Sequence, residues 1–241
     1  MTTVLITGAS SGIGLALARA YARDGVNLVL NARDETKLAA AAESLGDPAR
    51  RVLVAGDIAA PATIERVLRA AVQHFERLDV LINNAGVFRV KPIAEYGTAE
   101  IDEYLSINLR GTILLTQAAV AQLRAQRRGG AIVNITSAIS LAPIAQLPAA
   151  VPNATKGALN TFTRSLAIEL AAEDIRVNAV APGLIETPLL GENPGRLDPM
   201  QPMGHIGAPD DVVAAVKYLA AAPFVTGVIL PIDGGSSLGH W

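Results

Sequence analysis

The amino-acid sequence predicts a single α/β domain with a parallel sheet. Short β-branched runs alternate with longer amphipathic stretches rich in Ala and Leu from one end of the chain to the other, which is the pattern of consecutive β-α-β units. The 241 residues are 51% apolar and 17% charged, so the chain can bury one large core. No linker, repeat or change of composition divides it.

The individual elements follow from these runs in order. Short aliphatic runs predict strands buried on both faces of a sheet, at 3–7, 27–32, 51–55, 80–83, 131–136, 176–181 and 228–231. The intervening amphipathic stretches predict helices at about 13–23, 34–45, 61–76, 99–127, 153–172 and 209–221. Ligands bind such sheets at the carboxyl ends of the strands, so motifs that directly follow a strand carry the most information.

Composition excludes several classes of protein. The 20 basic and 22 acidic residues give a net charge of −2, which offers no electrostatic footprint for nucleic acid or an anionic membrane. We therefore expect small-molecule partners or copies of the same chain. The absence of cysteine fits a reducing cytoplasm, and we expect no signal peptide. The histidines are too scattered in sequence to indicate a metal site.

One uncharged run, at 129–155, is long enough to cross a membrane. It contains Pro143, Pro148 and Pro152, and proline is unfavourable inside a spanning helix. We expect a buried strand followed by the wall of a cleft.

A glycine-rich loop joins the first predicted strand to the first helix. Its sequence is T-G-A-S-S-G-I-G at 7–14, and glycine permits both a sharp turn and the close approach of a pyrophosphate to amides at a helix N-terminus. The spacing G-x-x-x-G-x-G differs from the G-x-G-x-x-G of many dinucleotide-binding folds. The expected phosphate contacts are Gly8, Ser10, Ser11, Gly12, Ile13 and Gly14.

Further motifs follow this loop in a fixed order. They are Asp57, N-N-A-G at 83–86, Asn108, Ser137, Lys156, P-G-L-I-E-T at 182–187 and D-G-G at 233–235. With these motifs the chain resembles a short-chain dehydrogenase/reductase over almost all of its length. The resemblance implies a Rossmann-like, doubly wound domain of seven parallel strands with helices on both faces. It also implies binding of NAD(H) or NADP(H), hydride transfer to or from a small substrate, and a homotetramer or dimer packed through the helices near 99–127 and 153–172.

The same resemblance assigns contacts with the cofactor. Asp57 and Ile58 are expected to line the adenine, and Lys156 to bind the nicotinamide ribose. The segment Asn83, Asn84, Ala85 and Gly86 is expected to pass the ribose and stabilise the central strand. The nicotinamide carboxamide is assigned to Pro182, Gly183, Ile185 and Thr187, and residues 188–209 correspond to a substrate lid.

The end of the second strand predicts NADP(H) in preference to NAD(H). A carboxylate at this position would bind both ribose hydroxyls and repel a 2′-phosphate, but the sequence has no acid at the strand end. Arg33 stands where relatives that prefer NADP(H) often carry a basic residue, and a guanidinium suits a phosphate dianion. Ser10 or Asn31 would assist it. The alternative is that Arg33 is a solvated residue paired with Asp34.

Three of the four polar catalytic groups of the family have counterparts in this sequence. Ser137 matches the serine that bonds the substrate oxygen, Lys156 the lysine that lowers the tyrosine pKa, and Asn108 the asparagine that holds a relay water. The tyrosine is expected four residues before the lysine, where the chain has Pro152. The four tyrosines stand at 21, 96, 104 and 218.

Three interpretations of this missing tyrosine stay open. The acceptor is already activated, as a protonated imine or a conjugated C=C bond; or another group gives the proton to a C=O bond; or the protein binds the cofactor without turnover, as a sensor or scaffold. The candidates for that other group are a water held by Asn108 and Lys156, or the side chains of Asn153, Gln146, Ser140 and Tyr96.

Two further predictions concern the substrate and the chain end. The expected substrate contacts are Asn153, Gln146, Tyr96 and His205, with an exposed loop position as the alternative for His205. His240 and Trp241 are expected to fray or, in a tetramer, to pack on a neighbouring subunit.

Overall fold

Seven strands alternate with helices in the computed structural model, which describes residues 1–239. The strands are β1 (Thr3–Thr7), β2 (Asn27–Ala32), β3 (Arg51–Ala55), β4 (Val80–Asn83), β5 (Gly130–Ile135), β6 (Ile175–Pro182) and β7 (Ile229–Ile232). The helices are α1 (Gly12–Arg23), α2 (Glu35–Glu43), α3 (Pro61–Phe75), α4 (Thr98–Tyr104), α5 (Thr112–Gln126), α6 (Ala150–Leu170) and α7 (Pro209–Ala221). The predictions for His240 and Trp241 lie outside the described residues.

All seven strands are parallel and form one sheet in the order β3-β2-β1-β4-β5-β6-β7. The chain builds outward from β1 to β3, then crosses back to β4 on the other side of β1. This reversal opens a crevice at the carboxyl ends of β1 and β4, where ligands bind in sheets of this kind. The predicted Rossmann-like domain, with seven parallel strands and helices on both faces, is confirmed.

Two apolar clusters cover the two faces of the sheet. Alternate side chains of β1 point in opposite directions, so Ile6 joins the cluster under α1, α2 and α7, while Leu5 joins the cluster under α3, α5 and α6. All five residues of β1 are buried. Burial on both faces explains why the strands are continuous apolar runs rather than alternating ones.

The helix predicted at 99–127 is wrong in one respect. A π-helical turn, Leu105–Gly111, separates α4 from α5 and contains Asn108. At the end of this turn Gly111 passes close to the chain after β3, since a Cβ atom there would lie 3.0 Å from the carbonyl oxygen of Ile58. Periodicity does not reveal an inserted residue of this kind, because both flanking segments remain helical.

The uncharged run at 129–155 forms β5, a connection over 136–149 that contains a 3-10 turn at Ala138–Ser140, and the start of α6. That helix begins at Ala150, three residues before the predicted start, so Pro152 lies in its first turn, where a helix needs no amide from proline. Within residues 1–239, no helix combines the length and apolarity that crossing a membrane requires.

A chain of buried amide and hydroxyl groups links the central strands to the helices behind them. Asn83 donates to Thr116 Oγ1 (2.9 Å) and to Asn134 Oδ1 (2.8 Å), and Asn134 donates to Thr163 Oγ1 (2.8 Å). Thr163 in turn donates to the carbonyl of Leu159. These bonds hold β4 and β5 in register between α5 and α6.

Replacing Asn134 with alanine should destabilise the fold. The change leaves the donor of Asn83 with one acceptor fewer and removes the donor to Thr163, which costs about 1–3 kcal/mol for buried groups. Urea unfolding measures the free energy. Asn193→Ala removes the same amide from an exposed position and should change stability by less than about 0.5 kcal/mol. Equal effects of the two substitutions would contradict the stabilising role of these buried hydrogen bonds.

Candidate active site

The glycine loop between β1 and α1 is shaped by close backbone contacts. Gly8 and Gly12 have φ angles of +68° and +52°, a region that residues with a Cβ rarely adopt. Gly14 admits no side chain, because a Cβ atom there would lie 2.1 Å from the carbonyl oxygen of Gly8. Ser11 precedes α1 in extended conformation, and its side chain does not cap the helix. A pyrophosphate can therefore approach the N-terminal amides of α1 without obstruction by side chains.

Hydrogen bonds of Thr7 and Asn84 connect this loop to the segment that follows β4. Thr7 Oγ1 accepts from the amides of Asn84 (3.0 Å) and Ala85 (2.9 Å). Asn84 Nδ2 donates back to the carbonyl oxygens of Thr7 (2.9 Å) and Gly8 (3.3 Å). The predicted segment 83–86 thus lies directly beside the glycine loop, on the crevice between β1 and β4.

The end of β2 carries the residues assigned to the adenosine. Asn31 is buried and donates to the carbonyls of Val54 (2.9 Å) and Gly56 (3.0 Å), so its amide nitrogen ties β2 to β3. The Arg33 side chain is 60% exposed, with one nitrogen 3.9 Å from Glu103. Asp34 instead caps α2 by accepting from the amide of Lys37, so the alternative pairing of Arg33 with Asp34 is wrong.

Asp57 and Ile58 follow β3 on the same edge of the sheet. Asp57 Oδ1 accepts from the amide of Ala59 (2.9 Å), which shapes the turn before α3. Ile58 is buried in the cluster under α3 and α5.

Lys156 lies at the centre of the carboxyl edge, between β4 and β5. It is 6% exposed, and its Nζ donates to the carbonyl oxygen of Ile135, the last residue of β5, at 2.7 Å. A Cβ atom on Gly86 would lie 3.2 Å from this Nζ and 3.1 Å from Asn108 Oδ1. Burial lowers the pKa of Lys156 from 10.5 to about 8, because the ammonium loses hydration and gains no carboxylate.

Asn108 connects the π-helical turn to both sides of the site. Its Oδ1 accepts from the amide of Val87 (2.8 Å), and its Nδ2 donates to the carbonyl of Val87 (2.9 Å) and to Thr155 Oγ1 (3.1 Å). Thr155 donates to the carbonyl of Pro152 (2.8 Å). The side chain of Asn108 thus holds the segment after β4 against the first turns of α6.

Ser137 follows β5 by two residues, and a second polar group lies beneath it. The carbonyl of Ser137 accepts from the Ser140 hydroxyl (2.6 Å), which accepts from Asn160 Nδ2 (3.1 Å). Asn160 lies one turn beyond Lys156 on α6. The Oδ1 atoms of Asn153 and Asn160 are buried without a hydrogen-bond partner among the described residues.

The four tyrosines, all within the described residues, lie away from Lys156 or are engaged elsewhere. Tyr104 is fully buried; its hydroxyl accepts from the amide of Arg89 (2.7 Å), and burial raises its pKa to about 12. The Tyr96 hydroxyl donates to the carbonyl of Arg89 (3.0 Å). Tyr21 is buried on α1, where burial also raises the pKa to about 12, and Tyr218 is exposed on α7.

The segment 182–187 returns the chain to the glycine loop. Thr187 contacts Gly12, since a Cβ atom on that glycine would lie 3.4 Å from the Thr187 side chain. Gly183 lies against Asp233, with its amide donating to the carbonyl of Ile232 (2.9 Å). Pro182 and Ile185 are buried beside them.

Backbone hydrogen bonds join the end of the segment that follows, residues 188–209, to the chain just before its start. This segment is called the excursion after β6. Ile185 and Gly207 form a parallel bridge, with Glu186 donating to Gly207 and Gly207 donating to Leu184. Gln201 and Met203 lie near Gly234, so the middle of the excursion rests on the D-G-G segment.

Two of the candidate substrate contacts lie on the surface of the described structure. His205 is exposed, with its ring nitrogen 2.9 Å from the carbonyl oxygen of Ile206. Gln146 is exposed in the segment before α6. Within residues 1–239, no group of three or more His, Asp or Glu side chains is arranged to hold a metal ion.

Sequence reasoning missed three groups that organise the site. They are the hydroxyl of Thr7, the hydroxyl of Thr155 and the peptide of Val87. A threonine at the last position of a buried strand, and another beside Lys156 on a buried helix face, were available as signals. The role of Val87 had no signal, because it uses only backbone atoms.

The residues at the carboxyl edge fit a nicotinamide dinucleotide. The glycine loop offers uncapped helix amides without side-chain bulk, and Lys156 offers a buried ammonium for ribose hydroxyls. The family model of the short chain dehydrogenases matches residues 2–196. The chain belongs to this family.

Individual relatives align over nearly the whole length of this short-chain dehydrogenase. The (2S)-[(R)-hydroxy(phenyl)methyl]succinyl-CoA dehydrogenase subunit BbsD of Thauera aromatica is 37% identical, over 97% of this chain and 96% of its own. The 3beta-hydroxysteroid dehydrogenase 1 of Eggerthella lenta is 33% identical, over 98% and 94%. The crystal structure of 3-ketoacyl-(acyl-carrier-protein) reductase from Brucella melitensis complexed with NADH superposes with a TM-score of 0.92 at 34% identity, covering 98% of each chain.

Replacing Gly14 with alanine should disrupt the nucleotide loop. The methyl group would overlap the carbonyl oxygen of Gly8, so the loop must move, and we expect NADPH and NADH to bind at least about tenfold more weakly, a change of about 1.4 kcal/mol. Titration calorimetry measures both affinities. Gly157→Ala is the matched control, since that helical glycine has no atom within 4 Å of the added carbon. Unchanged affinity in Gly14→Ala would refute this role of the loop.

Proposed function

We propose that this chain is an NADP(H)-dependent reductase that transfers hydride to a small-molecule C=N, C=C or C=O acceptor without a tyrosine proton donor. One observation carries the proposal. Lys156, Ser137 and Asn108 lie on neighbouring elements at the carboxyl edge of the sheet, while Pro152 stands one helical turn before Lys156. The substituent missing from this constellation is a phenol.

The cofactor contacts are proposed as one continuous path along the edge of the sheet. It begins at Asp57 and Ile58, follows the glycine loop and the segment 84–86, and reaches Lys156. It ends at Pro182, Gly183, Ile185 and Thr187, and the contact between Thr187 and Gly12 supports a path that returns to the loop. When bound, the cofactor supplies the hydride.

NADP(H) is proposed as the preferred form because a guanidinium is available where the 2′-phosphate would lie. Arg33 is 60% exposed and has only a 3.9 Å approach to Glu103. Arg89 donates two closer hydrogen bonds to the Glu103 carboxylate, with nitrogen–oxygen distances of 2.7 and 3.2 Å. Arg33 is therefore free to turn toward a phosphate, and Ser10 lies in the neighbouring loop. The amide nitrogen of Asn31 is already committed to β3.

The chain's own residues have distinct tasks in this proposal. Ser137 orients the acceptor by a hydrogen bond from its hydroxyl, Lys156 holds the nicotinamide ribose, and Asn108 positions the segment after β4 and a relay water. Asn153, Gln146, Tyr96 and His205 are the proposed substrate contacts. The buried, unpartnered Oδ1 of Asn153 supports a substrate group that donates a hydrogen bond.

The setting of the enzyme is proposed on composition and family likeness. We propose one catalytic domain over the whole chain, with a substrate lid at about 188–209, that works in the cytoplasm on a small molecule, without nucleic acid or membrane. A homotetramer or dimer packed through the helices near 99–127 and 153–172 is proposed. The exposed Ile168 on α6, with 80% of its surface accessible, supports such a contact.

Removing the guanidinium of Arg33 tests the choice of cofactor. Loss of a charge-assisted bond costs about 1.5–3 kcal/mol, so Arg33→Ala should raise the KM for NADPH about tenfold or more while leaving that for NADH nearly unchanged. Steady-state kinetics with both cofactors measures this. Arg23→Ala, at an exposed position at the end of α1, should alter neither value. A preference of the unsubstituted enzyme for NADH by tenfold would overturn the assignment.

Restoring the phenol tests the catalytic constellation. Positioned general acids contribute about 10²–10⁴-fold, so Pro152→Tyr should raise the reduction of simple ketones by a factor in that range. Pro152→Phe adds the ring without the hydroxyl and should give no gain. If the two variants behave alike, a phenol at this position does not act as the proton donor. Nucleotide binding without turnover of any carbonyl, imine or enone would favour a sensor or scaffold instead.

A further inference from the structure

Lys156 differs from the other three lysines in its electrostatic surroundings. Lys37, Lys91 and Lys217 each lie within 4 Å of a carboxylate, on Asp34, Glu100 and Asp24 respectively. All four lysines lie within the described residues. Lys156 alone is buried, and the contact of its Nζ is with a backbone carbonyl.

Within the described residues, no carboxylate pairs with Lys156. Helix α4 packs on α6 and carries Glu100, which pairs with Lys91, Glu103, which pairs with Arg89, and the exposed Asp102. β5 carries no titratable residue. The π-helical turn carries Arg110, which donates to the carbonyl of Ala59, and β6 carries Arg176, which donates to the carbonyls of Leu219 and Ala220. On α6 itself, Arg164 is exposed and Glu169 lies 3.9 Å from Arg124. The ammonium has three donors, of which Ile135 accepts one.

No other side chain of the described site is suited to give a proton near neutral pH. The hydroxyls of Tyr96 and Tyr104 both bond to the backbone of Arg89, and His205 is exposed on the excursion after β6. Asp57 Oδ1 accepts from the amide of Ala59. A serine hydroxyl such as that of Ser137 is too weak an acid.

We infer that Lys156 is itself the proton donor of this site, and that the acceptor is a carbonyl whose oxygen takes its proton from the ammonium in place of the missing phenol. The inference rests on the proposed function. The carbonyl carbon gains a hydride from the reduced nicotinamide, and the π electron pair moves to the oxygen. The oxygen takes one proton from Lys156, which becomes a neutral amine and recovers a proton from water.

The surroundings of Lys156 suit this task in two ways. Burial without a counterion brings its pKa to about 8, close to a working pH, where general acids are most effective. Gly86 leaves the space beside Nζ open, since a Cβ there would lie within 3.2 Å of it. One helical turn earlier, Pro152 presents no group that competes for the proton.

Titration of Lys156 can be observed without any reaction. The chain has only four lysines, so protein labelled with 13C at the lysine ε carbons should give four resolved NMR signals, and Lys156→Arg identifies one by its loss. We expect that signal to titrate near pH 8, below the ordinary range of a lysine ammonium. Titration of that signal in the ordinary range would overturn the inference.

The kinetic test separates proton donation from charge alone. Ethyl acetoacetate and cyclohexane-1,2-dione serve as acceptors, with NADPH and with NADH, from pH 6 to 10. We expect kcat/KM to fall about tenfold per pH unit above the pKa measured for Lys156. Lys156→Arg keeps the positive charge but holds its proton, and should be as slow as Lys156→Met, with both at least about 100-fold below the unsubstituted enzyme.

The outcomes distinguish this inference from the function on which it rests. If the enzyme reduces these ketones and Lys156→Arg keeps more than a tenth of kcat, the charge suffices, and only the assignment of the proton donor fails. If kcat/KM does not change as the pH passes through the pKa of Lys156, the assignment of the proton donor likewise fails while the proposed function stands. If neither cofactor is oxidised with either ketone while both bind, the inference fails. Turnover of a cyclic imine or an enone in the same assay would then keep the proposed function, and no turnover of any of these acceptors would overturn it as well.

Discussion

The hydrogen bond from Lys156 to the carbonyl of Ile135 fixes how α6 sits on the sheet. The helix is anchored to the last residue of β5 at a distance of 2.7 Å, and its rotation determines what the neighbouring positions face. Thr155 then meets Asn108 of the π-helical turn, and Asn160 meets Ser140 after β5. Because residues four apart lie on one face of a helix, Pro152 and Lys156 point toward the same side. The position of the missing phenol is therefore set by the same contact that desolvates the amine.

A second constraint is the absence of side-chain volume between β1 and β4. Gly8 and Gly14 bring their backbones so close that a single Cβ would overlap a carbonyl, and Thr7 and Asn84 hold the two strand ends with four hydrogen bonds. The cradle is thus made of backbone atoms fixed by a few polar side chains. Such a surface accepts a phosphate chain without distinguishing the substrate at its other end. This agrees with relatives of nearly full-length similarity whose names give a succinyl-CoA derivative and a steroid, since function in a shared fold is determined by the side chains of the site.

Much of the fold could be predicted from the chain because its signals are local. The seven strands are short aliphatic runs: the first four match their predicted bounds, and the last three differ from them by one residue at each end. The bounds of the helices were predicted less well wherever a tertiary contact, rather than hydrophobic periodicity, decides where a helix begins or ends. The π-helical turn around Asn108 depends on the approach of Gly111 to the chain after β3, a long-range contact that no window of sequence contains. The pairing of Asp34 with the first turn of α2 could have been inferred from its capping position, whereas the approach of Arg33 to Glu103 joins residues 70 positions apart.

The sequence by itself determined the strand and helix order, the glycine loop and the replacement of a tyrosine by Pro152, because each depends on residue type and spacing along the chain. The tertiary structure alone decided that Lys156 is buried against a carbonyl with no carboxylate of the described residues paired to it. It also decided that the hydroxyls of Tyr96 and Tyr104 bond to the backbone of Arg89, and that Asn108 supports Val87. The physical reason is that desolvation and hydrogen-bond partnership arise from segments far apart in sequence. A lysine's residue type sets its ordinary pKa, but only its surroundings lower that pKa to about 8.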